Sequence, residues 1–177
     1  MTTSLKDLYF EQLKDLYDAE YRLVEALPKM MDAASSKELQ RGLNKHLEET
    51  KGHVTRLKSI FETHGMKAER ESCKAMQGLI AEGEKEISEW KASPEVKDAA
   101  IIASAQRVEH YEMAGYGTAR CYAEMLGFVE DVDVLTETLE EERSADTALN
   151  DIALSSVNRD ALMVPSHSKS HQGGARA

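Results

Sequence analysis

Apolar residues recur every three to four positions along most of the chain, the repeat of helices that bury one face and wet the other. Leu5, Leu8, Tyr9, Leu13, Leu16, Leu23, Leu27 and Met31 form one such stripe and predict a first helix from about Thr3 to Ala33. Pro28 lies inside it and removes a backbone donor, so a kink or early end is expected there, costing about 3 kcal/mol unless accommodated. Ser35-Ser36-Lys37-Glu38 reads as a capping box that opens a second helix. That helix runs through Leu39, Leu43, Leu47, Val54, Leu57 and Phe61 to a stop at Gly65. The tight joint makes the two antiparallel. Between Met66 and Ser93 a shorter helical pattern centres on Met76, Leu79, Ile80, Ile87 and Trp90. Ser93 suits an N-cap and Pro94 a first turn for the next helix, which passes Ile101, Ala105, Val108, Ala119 and Leu126 to Gly127. A last helix, from about Val129 to Asn158, carries Leu135, Leu139, Leu149 and Ile152. Residues 161–177 show no pattern and read as a disordered tail, leaving 1–160 as one helical domain.

At 1.5 Å per residue the second helix spans roughly 42 Å, and the segment 66–93 is long enough to run back along it. Two helical hairpins joined by one long crossover define the fold class: all-α, a ferritin-like four-helix bundle with a fifth, shorter helix in the crossover.

Composition narrows the partners. Asp and Glu number 32 against 22 Lys and Arg, a formal charge of −10, which argues against nucleic acid or an anionic membrane as a general partner. No apolar run reaches the 18 residues of a membrane span. The two cysteines, Cys73 and Cys121, form no CxxC pair and no rubredoxin-type set, and no leader opens the chain, so a reduced cytoplasmic protein with inert cysteines is expected.

Against this background, acids stand where leucines belong. Glu20 falls between Leu16, Leu23 and Leu27; Glu112 lies among Ala105, Val108 and Ala119, with Glu109 one turn earlier on the flank. Glu142 and Asp146 interrupt the run of Leu135, Leu139 and Leu149. On the second helix His46 and His53 lie near the apolar centre and Glu49 towards its edge. Unpartnered buried carboxylates cost several kcal/mol each and would repel one another until some took up protons. No lysine or arginine occupies these stripes in number, so protons or a cation must neutralise them, and two divalent metal ions suit carboxylate and imidazole ligands. The spacing repeats: Glu20 precedes Glu49 by 29 residues and Glu112 precedes Glu142 by 30, with His53 and Asp146 each four residues later. This is close to the Glu-x-x-His pattern of di-iron carboxylate bundles, but richer in oxygen.

The segments Leu16-Tyr17-Asp18-Ala19-Glu20, His46-Leu47-Glu48-Glu49-Thr50, Val108-Glu109-His110-Tyr111-Glu112 and Thr138-Leu139-Glu140-Glu141-Glu142 resemble the YciE/YciF-like family of bacterial ferritin-like proteins over about residues 3–158. The resemblance implies a ferritin-like bundle with a crossover helix, homodimers, a dinuclear metal centre and a place in bacterial stress responses. It maps Glu20, Glu49, Glu112, Glu142 and Asp146 onto the acidic pattern and makes Glu109 the analogue of the extra third-helix glutamate of rubrerythrin-like centres. His53 is a ligand or a core histidine, since the family pattern also accepts glutamine there.

Blander readings stand beside these. The acids could belong to a mis-phased helix and reach solvent. His46 reads as structural, donating to a ligand carboxylate from behind. Tyr17 and Tyr116 could hydrogen-bond a ligand but read as packing residues. His167 and His171 lie in a solvated tail, and Gly115 and Gly117 let the third long helix approach a neighbour. The leading functional expectation is two ions, iron or manganese, reacting with oxygen or peroxide and needing an external reductant, or else binding iron. A non-catalytic bundle with a structural metal site, acting through partner proteins, and a magnesium or calcium site remain as alternatives.

Overall fold

The computed structural model describes residues 3–165. Five long helices fill it: α1 (Leu5–Ala33), α2 (Lys37–Thr63), α3 (Lys74–Glu89), α4 (Pro94–Leu126) and α5 (Val129–Ile152). A π-helical turn, Ala153–Val157, leads into a short α6, Asn158–Leu162. Among the described residues there is no strand, and no helix is long and apolar enough to cross a membrane. Residues 166–177, with His167 and His171, lie outside the described residues.

The hairpins α1–α2 and α4–α5 pack side by side, α1 against α4 and α2 against α5, while α3 returns along the outside against α4 and α1. That is the bundle with one long crossover expected from the sequence. α1 continues through Pro28 to Ala33, so the proline does not end it. Gly65 and Gly127 turn the chain at φ 67° and 74°, the left-handed region that glycine enters without steric cost.

The helix starts differ from expectation in informative ways. Ser36, not Ser35, caps α2 by accepting from Leu39 N at 3.3 Å. The partner expected of Glu38 is Asp98 of α4 instead, whose carboxylate accepts Ser35 N at 2.8 Å and Ser36 N at 2.6 Å. A true capping box sits at Ser4 and Asp7. Ser93 precedes α4, but its hydroxyl makes no cap bond. Cys73 caps α3, and its own N–H donates to Asp18 of α1 at 2.9 Å, tying the crossover helix to the bundle. Trp90, at the end of α3, is exposed.

The buried apolar side chains divide into two clusters. One, at the α1–α2 turn end, contains Leu23, Leu27, Leu39, Leu43, Ile101, Leu149 and Ile152. The other contains Tyr9, Leu13, Leu16, Leu57, Phe61, Tyr116 and Leu135. Each such side chain contributes about 1.5–3 kcal/mol by leaving water. On every long bundle helix the residues between the two clusters are polar and buried: Glu20 on α1, Thr50 and His53 on α2, Glu109 and Glu112 on α4, Glu142 on α5. Gly115 sits beside this layer, where a Cβ would meet Leu16 Cδ2 at 2.7 Å, so it does permit close approach of α4 and α1. Gly117 faces open space and has no such role.

Candidate metal centre

The polar layer resolves into two adjoining groups. His46, Glu109, Glu112 and Glu142 each offer one donor atom within 4.8 Å of the others, and Glu20, His53 and Glu142 do the same. Glu142 belongs to both, and all six residues are buried. His53 Nδ1 lies 3.0 Å from one Glu142 oxygen and 3.3 Å from a Glu20 oxygen. His46 Nε2 lies 3.4 Å from Glu109 and 3.9 Å from the other Glu142 oxygen. Helix geometry explains the convergence, since His46 and His53 are seven residues apart and about 20° apart around α2.

Burial sets the electrostatics. Loss of water, then the charges of Glu142 and Glu20, pushes Glu109 far above the usual carboxylate range. Glu112 rises for the same reason, with Glu20, Glu142 and Glu109 around it. Burial also raises Glu20, against the pull of His53. Glu142 is as dehydrated, yet the proximity of His53 and His46 outweighs that and holds it below its ordinary value. Burial lowers His46. It would lower His53 too, but Glu20 and Glu142 win and push that imidazole up to about 11.

These residues fit a pair of divalent cations. Apart from Ser93 and Ser104, every buried side-chain nitrogen or oxygen without a hydrogen-bond partner among the described residues belongs to Glu20, His46, His53, Glu109, Glu112 or Glu142. Buried polar atoms are almost always satisfied, so such a concentration marks a place where something else supplies the partner. Four ionised carboxylates carry four negative charges and two divalent ions carry four positive, with two imidazoles as neutral donors.

Two residues expected in the set lie outside both groups. Glu49 is half-buried, pairs with Lys45 and stays 3.9 Å from His46 Nδ1. Asp146 accepts from Gln106 Nε2 at 3.1 Å and lies 3.5 Å from His110, on the flank of α4. His46, read from the sequence as a supporting residue, faces the cluster directly. Glu141 was not anticipated: its carboxylate lies 2.9 Å from His53 Nε2 and is itself held by Arg56. A carboxylate on the outer nitrogen fixes the tautomer that turns Nδ1 inward. Its signal in the sequence was slight, an acid beside Glu142 and an arginine three residues beyond His53. Tyr116 donates to Glu20, whereas the Tyr17 hydroxyl lies 3.4 Å from that of Tyr21 and its ring packs against Phe61. Cys73 is buried and Cys121 exposed, and neither is in a disulfide.

Residues 4–162 match the family described as a domain of unknown function, DUF892. Protein YciF of Escherichia coli (strain K12) is 43% identical over 159 residues, 89% of this chain and 95% of that protein. The crystal structure of the E. coli stress protein YciF superposes with a TM-score of 0.84 at 42% identity, covering 89% of this chain and 99% of the other. YcfI from Rhodopseudomonas palustris, put forward as a structural protein, gives a TM-score of 0.82 at 44% identity over 84% of this chain and 94% of its own.

Proposed function

The chain belongs to the DUF892 family and is a homologue of the E. coli stress protein YciF, and from that premise we propose that it is a dinuclear metal carboxylate protein that takes iron or manganese and reacts with dioxygen or peroxide under stress. One observation carries this reading: the unpartnered donor atoms of six buried residues converge in a single layer between two apolar clusters. A pair of ferrous or manganous ions, when bound, would supply two electrons to such an oxidant, and an external reductant would restore them.

The protein's own part is to bind and to exclude water. Glu142, shared by both groups, would hold both ions; Glu112, Glu109 and His46 would hold one, and Glu20 and His53 the other. Tyr116 orients Glu20 by donating to one oxygen, leaving Oε2 free. Glu141 orients His53 from behind. The unpaired Cys73 and Cys121 accord with a reducing compartment such as the cytoplasm. A homodimer is part of the same reading, to be checked by sedimentation.

A purely structural metal site acting through partners is the alternative, and a structural role is the one put forward for YcfI. Elemental analysis of tag-free protein prepared without chelator tests the proposal, with Glu142→Gln beside it. About two iron or manganese ions per chain, lost in the variant, are expected. No metal before or after anaerobic loading would overturn it. Loss of melting temperature on metal removal with no reaction towards oxygen or peroxide would favour the structural alternative.

A further inference from the structure

The two halves of the polar layer differ in their access. On the Glu20–His53 side the layer is closed: both residues are fully buried, and the Arg56–Glu141 ion pair covers His53 from outside. On the other side a cavity of about 40 Å³ abuts His46 and Glu109. Its walls are the side chains of Leu43, Leu149 and Ile152 together with the bare backbone of Gly42. Lys45, Glu49 and Ala148 stand on its outer rim, where Lys45 and Glu49 pair and cancel one another's charge.

We propose that this cavity is the entry route for a small uncharged oxidant, dioxygen or hydrogen peroxide, and that Gly42, Ala148 and Ile152 set the size that can pass. The inference rests on the metal-centre reading above, because it supplies that centre with its substrate. At about 10–15 Å³ per water-sized sphere, the cavity takes roughly three to four such spheres, room for a diatomic oxidant but not for a hydroperoxide as bulky as cumene hydroperoxide. Apolar walls and a neutral rim offer nothing to an anion such as superoxide. Gly42 is the telling residue. A glycine inside a helix costs about 0.5–1 kcal/mol relative to alanine, and here a Cβ would already meet Ile152 Cδ1 at 3.2 Å, so any larger side chain must fill the passage. The π-helical turn begins immediately after Ile152, re-aiming the chain beside the cavity.

Two measurements test this independently. In metal-free protein, dissolved dioxygen should selectively broaden the methyl NMR signals of Leu43, Leu149 and Ile152, and Gly42→Leu should remove the effect. In iron-loaded protein, Gly42→Leu and the surface variant Ala148→Trp should keep the full metal content. Both should slow oxidation by hydrogen peroxide about tenfold or more. Ile152→Ala should admit cumene hydroperoxide, towards which the parent should be inert. Absence of selective broadening, or peroxide rates unchanged in both blocking variants at full metal content, overturns the entry route. Should the protein take up no metal, the methyl measurement still decides the cavity, and the failure then belongs to the metal-centre reading.

Discussion

Glu142 of α5 and His53 of α2 meet across the bundle with 3.0 Å between a carboxylate oxygen and Nδ1, while the other Glu142 oxygen faces His46. One dehydrated carboxylate thus touches an imidazole from each half of the layer. Without metal it is held ionised by those imidazoles, while Glu109 and Glu112 beside it are driven towards their neutral forms. The layer stores protons in places where cations would otherwise sit.

Metal uptake should therefore release protons. With Glu109 and Glu112 raised well above the usual range and His53 up to about 11, loading near neutral pH should free roughly two to three protons per chain. Titration calorimetry in buffers of differing ionisation heat measures the number. A value near zero would mean that the cluster is not the binding site.

Stability of the metal-free protein should fall as pH rises. Glu109 and Glu112 are raised on folding, so their contribution is full below the ordinary value of 4.5 and is lost as pH climbs through their raised values. His53 adds a loss between its ordinary 6.5 and about 11. Glu142 and His46, both lowered on folding, work in the opposite sense and cost stability only on the acid side of their ordinary values. Melting temperature from pH 5 to 9 should decline by several degrees or more without metal, and the slope should flatten in a Glu109→Gln, Glu112→Gln double variant. An equal slope in parent and variant would refute the assignment.

Glu141→Ala should weaken metal binding about 10–100-fold, since His53 loses the acceptor that holds Nδ1 towards the cluster. Glu141→Gln, whose amide oxygen still accepts from Nε2–H, should recover most of that loss. Competition against a chelator measures both, and equal affinity in the two variants would remove the positioning role.

Asp98→Ala leaves the N–H groups of Ser35 and Ser36 without their acceptor. These part-buried bonds to a charged carboxylate are worth about 1.5–3 kcal/mol each when fully shielded and less where water reaches them, so the variant should lose roughly 2–4 kcal/mol. Denaturant unfolding checks this, and a change below about 0.5 kcal/mol would show that water replaces the carboxylate.

The two glycines of α4 should respond in opposite directions. Gly115→Ala forces a Cβ to 2.7 Å from Leu16 Cδ2 and should destabilise by about 1–3 kcal/mol, more than the helix propensity it gains. Gly117→Ala meets nothing and should stabilise by about 0.5–1 kcal/mol. The same unfolding experiment compares them, and equal shifts would mean that the α1–α4 contact relaxes freely.

Much of this architecture was already written along the chain. Long 3.6-residue stripes with caps and stops place four bundle helices to within a few residues, and a segment as long as α2 between the hairpins dictates the crossover. Glu20, Glu112 and Glu142 were visible because each interrupts a run of leucine and alanine at the centre of a stripe, where no rotation of the helix could turn it to water.

Residues nearer the edge of a stripe were undecided until the helices packed. Glu49 lies about 60° around α2 from His46, and Asp146 about 40° around α5 from Glu142, angles at which a few degrees of helix rotation choose between core and flank. Packing turned Glu49 to Lys45 and Asp146 to Gln106, and it set His46, which already lies near the apolar centre of its helix, against Glu109. Asp98 and the cavity at Gly42 have no local signature at all, and that of Glu141 is slight. Each depends on partners 50 to 110 residues away in sequence. The sequence alone determined that there would be helices, hairpins and a buried acidic layer, because periodicity and burial are properties of one helix at a time. Only the tertiary structure decided which donors converge, what orients them and where a small molecule can reach them, because those depend on the rotation and separation of helices relative to one another.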